Sequence, residues 1–143
     1  MHQLAKILEE KGDEVLAIEA DASVFEAIKR MVEANVGALL VTDEGEIAGI
    51  VTERDYLRRV TLKGRTDKET ATREIMSSPL IVATPQMTID ECMALMTDRR
   101  IRHVPVVEDG QVVGIVSIGD VVKSKSNQQS YEIQYLHEYI SAR

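Results

Sequence analysis

Short unbroken apolar runs and stretches of helical period alternate along this chain. Residues 15–18 (VLAI) are an apolar run bounded by polar residues, which predicts a strand. A helix follows, because Ser23 and Glu26 stand at capping-box spacing and Val24, Ile28, Met31 and Val32 recur with helical period up to Asn35. Two more strands are predicted over 38–42 and 47–52, joined through Asp43-Glu44-Gly45, a turn in which glycine can take positive φ. Both runs are almost wholly apolar, as expected of strands covered on both faces. A second helix is predicted over 53–62.

The same order then returns: a strand over 81–83, a helix over 89–99 behind Thr88 and Glu91, strands over 103–107 and 112–117, and a helix from Ile118. Shifted by 65 residues, 36–56 (VGALLVTDEGEIAGIVTERDY) lies on 101–121 (IRHVPVVEDGQVVGIVSIGDV) without a gap. Six of the 21 positions are identical, among them Gly45/Gly110, Gly49/Gly114 and Asp55/Asp120. The chain therefore carries a duplicated structural unit. Between the copies, 63–72 (KGRTDKETAT) is polar and predicts a surface connection, followed by a helical turn over 73–76 that Ser77-Ser78-Pro79 stops.

The ends lie outside the repeat. Leu4, Ile7, Leu8 and Lys11 line one side of an N-terminal helix. After the polar stretch 123–130, Tyr131, Tyr135, Tyr139, Leu136 and Ile140 line one side of a C-terminal helix, a face that suits docking on its own domain or on a partner.

At 143 residues, each copy has only about 60, which buries too little surface to be robust alone, so a core common to the two copies is expected. Apolar residues make up 44% and charged residues 29%, a globular composition. Seventeen basic against 24 acidic side chains leave a net charge of −7, which argues against nucleic acid and anionic membrane as partners. No apolar stretch approaches the roughly 18 residues that span a bilayer, and 1–12 is charged and amphipathic rather than signal-like, so a soluble cytoplasmic protein is expected. Cys92 is the one cysteine; its repeat partner is Ala27, on the inward side of a helix, which predicts a small buried filler.

In each copy the last strand ends in a hydroxyl residue with an aspartate three positions on: Thr52 with Asp55, and Ser117 with Asp120. One reading is helix capping, in which hydroxyl and acid satisfy free N–H groups. The other uses the same helix N-terminus and hydroxyl as donors to a phosphate, leaving the aspartate to accept from a vicinal diol. Gly-x-x-x-x-Gly-Lys, His-Glu-x-x-His and Gly-x-Ser-x-Gly are all missing, so binding without catalysis is expected, with neither a catalytic residue nor a metal.

The glycine turn followed by G-hydrophobic-hydrophobic-[ST]-x-x-D in both halves, with 101–107 (IRHVPVV), resembles the cystathionine-β-synthase (CBS) motif, and the chain is similar to a stand-alone CBS pair, or Bateman module. The resemblance implies an α+β fold of tandem β-α-β-β-α motifs whose two small three-stranded sheets pack with pseudo-twofold symmetry, flanked by N- and C-terminal helices. It divides the chain into a helix over 1–12, motifs over 13–65 and 66–128, and a helix over 129–143. It further implies two clefts for an adenine compound (AMP, ADP, ATP, NAD or S-adenosylmethionine), a homodimer, and an unidentified regulated protein as partner. Carried over by position, Asp55 and Asp120 would bind ribose, Thr52 and Ser117 would face phosphate, and Val36, Gly37, Ala38, Ile101 and Ile118 would border adenine.

The copies differ in charge. Arg54 faces Gly119 in the alignment, and Arg99, Arg100, Arg102 and His103 have uncharged counterparts. Those cations suit a solvated helix C-terminus or a phosphate site, and on the second reading Arg54, Arg100, Arg102 and His103 make the two clefts unequal. An interaction module with vestigial clefts is the alternative to a nucleotide sensor. Pro85 and Pro105 in the second copy replace Ala20 and Leu40 of the first.

Overall fold

A computed structural model describes residues 2–12 and 14–128. The predicted C-terminal helix and its tyrosines lie outside the described residues. The described residues divide into two compact units: one holds residues 15–81, the other 2–12 and 14 together with 82–128. The division does not follow the repeat boundaries, because the segment leading into each copy packs with the other copy's elements.

In the 15–81 unit, β1 (Ala17–Glu19) runs parallel to β2 (Ala38–Asp43), which pairs antiparallel with β3 (Glu46–Thr52) in the order β1-β2-β3. The hairpin turns at Glu44 (φ 52) and Gly45 (φ 84), the left-handed pair that a two-residue turn needs to match strand twist. Helix α2 (Val24–Ala34) begins at Ser23, whose hydroxyl accepts from the Glu26 N–H, and ends at Asn35 in the left-handed region. Helix α3 (Glu53–Tyr56) passes into a π turn over Leu57–Thr61. Instead of a plain surface connection, the polar segment after it closes the start of α2: the Val24 and Phe25 N–H groups donate to the carbonyls of Thr70 and Asp67. Thr70 and Thr72 are accordingly buried, and the Thr72 hydroxyl donates to the Ala22 carbonyl at 2.8 Å.

The other unit opens with α1 (Leu4–Lys11) and continues with α4 (Ile89–Arg99), β4 (His103–Glu108), β5 (Gln111–Ser117) and α5 (Ile118–Gln128). The β4-β5 hairpin repeats the left-handed turn at Asp109 (φ 53) and Gly110 (φ 77), and the same one-residue bulge follows Val41 and Val106 on the paired strands. Here the sheet has two strands, whereas three were expected. The third is reduced to a parallel bridge at Ala83, which donates to Pro105 O at 2.9 Å and accepts from Val107 N at 2.8 Å. Proline is the reason. In the first copy the outer bonds of the ladder are given by Leu40 N to Leu16 O and Ala20 N to Thr42 O; the matching donors in the second copy are Pro105 and Pro85, which have no N–H. Helix α5 runs through 123–128, so that polar stretch is helix rather than connection; no glycine or proline interrupts it, and Lys125 pairs with Asp90 on α4.

Among the described residues, buried side chains form a cluster in each unit. The clusters use matched positions: Ile18/Ala83, Val24/Ile89, Ala27/Cys92, Met31/Met96, Leu39/Val104, Val41/Val106 and Val51/Val116. Each is completed by the segment that leads into the other copy, Ile75 in the 15–81 unit and Leu4 with Ile7 in the other. Among the described residues no helix is long and apolar enough to cross a membrane.

Candidate functional site

In the first copy β3 delivers Thr52 to the start of α3 with extended backbone, and the helical turn brings Asp55 back toward it. The Thr52 hydroxyl accepts from the Asp55 N–H at 3.2 Å, while Asp55 Oδ2 accepts from the Thr52 N–H at 2.9 Å and its hydroxyl at 3.2 Å. This is a complete capping box. Asp55 is 9% exposed, and the Ser77 hydroxyl reaches its Oδ1 at 3.5 Å. Beyond the box, the Glu53 N–H donates to the Gly37 carbonyl, which ties the helix start to the loop between α2 and β2.

A groove of about 430 Å³ opens beside that loop, bordered by Ile28, Val32, Val36, Gly37, Glu53 and Tyr56. It brings the predicted Val36 and Gly37 together; Thr52, Asp55 and buried Ala38 are not on its wall. Arg54 lies half-buried in the first turn of α3.

The second copy repeats the box with β5 and α5. Ser117 Oγ accepts from the Asp120 N–H at 3.1 Å, and Asp120 Oδ2 accepts from the Ser117 N–H at 2.8 Å. The Ile118 N–H donates to the Arg102 carbonyl, the counterpart of the Glu53–Gly37 bond. One partner has no equivalent in the first copy. Lys11, at the end of α1, donates from Nζ to Asp120 Oδ2 at 2.8 Å and to the Ile115 carbonyl at 2.7 Å. Burial pushes the Asp120 carboxyl up, but the hydrogen bonds from Lys11 and Ser117 and the Lys11 charge outweigh it and hold the group below its ordinary range.

The cationic run divides. Arg99, Arg100 and Arg102 are exposed, with Arg99 beside its neighbour Asp98 and Arg100 closing α4 in the left-handed region (φ 56). His103 is half-buried on β4, paired across the sheet with Ser117. Its imidazole is pushed down, first by burial and then by the Lys11 charge, with Arg102 adding and Asp120 opposing. Ile101 and Ile118 are half-buried around the core cluster. Cys92 is fully buried and burial raises its thiol, as a filler requires.

Two residues of this environment were not found from sequence, Lys11 and Ser77. Both lie in lead-in segments: Lys11 is 109 residues from Asp120 and Ser77 is 22 from Asp55. The only trace in the sequence is the helical spacing that put Lys11 on the apolar side of α1.

Fold and site together define a class: a duplicated α+β unit in which each copy presents a hydroxyl and an aspartate at the start of the helix after its hairpin. The CBS domain family model matches residues 11–62 and 72–127, and the chain belongs to the CBS-domain proteins. It is 46% identical over 125 residues to the mitochondrial CBS domain-containing protein CBSX3 of Arabidopsis thaliana, a match covering 84% of this chain and 61% of that protein. The chain thus spans somewhat less than two thirds of that relative. Identity to YhcV of Bacillus subtilis is 33% over 117 residues, covering 82% and 83%. Among solved structures, a protein with CBS domains from Burkholderia ambifaria superposes with TM-score 0.85 at 45% identity, covering 89% of this chain and 96% of that one. A hexameric CBS-CP12 protein from bloom-forming cyanobacteria superposes with TM-score 0.79 at 29% identity, covering 99% and 86%. Proteins of this family are in general regulatory nucleotide-binding modules and not typically enzymes.

Proposed function

We propose that the chain is a regulatory module that binds an adenine nucleotide (AMP, ADP, ATP or NAD) without turning it over, and signals through the conformation of a homodimer or of a cytoplasmic partner protein. The observation that carries this reading is the repeated placement of Asp55 and Asp120, each at the N-terminus of the helix that follows a glycine-bearing hairpin. In this reading Asp55 and Asp120 accept from ribose hydroxyls, and Thr52 and Ser117 turn toward phosphate. Arg54, Arg100, Arg102 and His103 supply charge on the phosphate side. Val36, Gly37, Ala38, Ile101 and Ile118 border the base. A charge-assisted bond to a ribose hydroxyl contributes roughly 1.5–3 kcal/mol. The capping box engages Oδ2 in each copy and leaves Oδ1 of Asp120 outside it. A change of dimer or partner state follows only if the nucleotide binds two states unequally.

The completeness of both capping boxes favours a second reading, an interaction or dimerisation module whose acids serve only the fold. Thermal melts with millimolar AMP, ADP, ATP and NAD separate the two. On the nucleotide reading the midpoint rises with ligand as RT ln(1 + [L]/Kd), with no product formed. Asp55→Ala and Asp120→Ala should each abolish one site by calorimetry while keeping the fold. An unmoved midpoint with all four compounds rejects the nucleotide reading.

A further inference from the structure

Helix α1 is fixed to the second copy at three places before it reaches Asp120. Its first N–H groups, Leu4 and Ala5, donate to the carbonyls of Met87 and Pro85 at 2.9 Å, and Leu4 and Ile7 sit in the core cluster. Leu8 then lies on the bare face of Gly114, so close that a Cβ there would come within 2.5 Å of its Cδ2. One turn later Lys11 places its ammonium on Asp120, with the Ile115 carbonyl holding it from the other side. The residue 65 positions on from Lys11 is Met76, so the first copy has no cation at this place. The aspartate end of the ion pair is the more sheltered, at 23% exposure against 39% for the lysine.

We propose that Lys11 sets the ligand preference of the second copy, selecting an anionic adenine nucleotide over a neutral nucleoside or a cationic sulfonium derivative. The inference rests on the reading in which Asp120 binds ribose. An aspartate that close to the ligand repels the phosphate next to it; an ammonium on the same carboxylate cancels that repulsion and adds attraction of its own. Asp55 is instead met by the neutral Ser77 hydroxyl, so the two copies answer differently to ligand charge. His103, whose imidazole feels both Lys11 and Asp120, is a natural reporter of the second site.

The test follows the His103 imidazole resonances of the full chain during titration with AMP, adenosine and S-adenosylmethionine, in the wild type, Lys11→Met and Lys11→Arg. The readout is the ratio of AMP to adenosine affinity. Lys11→Met should lower it roughly fivefold to tenfold, the scale expected for removing one unit charge from a site this open to solvent. Lys11→Arg, which keeps the charge, should retain the ratio, and S-adenosylmethionine should gain affinity only in Lys11→Met. A ratio unchanged in Lys11→Met overturns the proposal, and so does an equal rise for AMP and adenosine, which would make Lys11 a competitor for the carboxylate and nothing more. If no compound moves His103 in the wild type while the thermal midpoint still rises, the proposal falls and the nucleotide reading survives at the first copy. If neither responds, both fall.

Discussion

Gly49 and Gly114 occupy the same place in the two copies but are covered by different kinds of atom. A Cβ on Gly49 would meet the Ser77 carbonyl oxygen at 2.6 Å and the Met76 sulfur at 3.1 Å; on Gly114 it would meet Leu8 Cδ2 at 2.5 Å. The glycines let each lead-in segment close onto the strand without meeting a side chain.

The cost of filling that gap should differ between the copies. Ser77 is held by two backbone bonds to Ile50, at 2.8 and 3.1 Å, so its oxygen cannot retreat without breaking them. Leu8 can turn to another rotamer. Gly49→Ala should therefore cost about 2–3 kcal/mol and Gly114→Ala about 1 kcal/mol, measured by urea unfolding. Equal costs, or the reverse order, would mean that α1 is held as rigidly as the Ser77 backbone.

Lys11 and Asp120 should contribute to stability in a way that salt removes. The pair is partly exposed, so Lys11→Met should cost no more than about 1 kcal/mol at low ionic strength. In 1 M salt, where the Debye length is about 3 Å, most of that cost should vanish. Asp55→Ala, which deletes a carboxylate whose bonded partners are all neutral and which has no ion-pair partner among the described residues, should cost about 1 kcal/mol with little dependence on salt. A Lys11→Met cost that persists in high salt would assign it to packing of the lysine stem.

Acid should weaken the second copy in two separate steps. His103 has a folded pKa below its ordinary 6.5, so the unfolded chain takes up that proton first and stability declines as pH falls from about 6.5 toward the folded value. Asp120 is also lowered, from 3.8; its contribution is complete above that value and is lost only as pH falls below it. Melting midpoints between pH 7 and 5 should therefore drop less in His103→Gln than in the wild type. An identical slope would exclude His103 as the source of the upper step.

Much of the fold was legible because its signals are local. Capping pairs at Ser23/Glu26 and Thr88/Glu91 located α2 and α4, and the glycines at 45 and 110 located both hairpins. The strand expected over 81–83 shrinks to a bridge because periodicity registers apolar residues and not missing donors; the effect of Pro85 and Pro105 depends on which carbonyl an N–H at each position would have faced. The buried, bonded state of Thr70 and Thr72 was hidden for a similar reason, since a polar run looks solvated until its hydroxyls find carbonyls to satisfy.

By itself the sequence determined the duplication, the α+β order of each copy and the pairing of Thr52 with Asp55 and of Ser117 with Asp120. Those features depend on residues within a few positions of one another, or on one copy compared with the next. Only the tertiary structure decided which lead-in covers which copy, and so that Lys11 meets Asp120 while Ser77 meets Asp55. That choice is set by where an entire helix buries Leu4, Ile7 and Leu8, and a contact across 109 residues leaves no mark on the spacing of either partner.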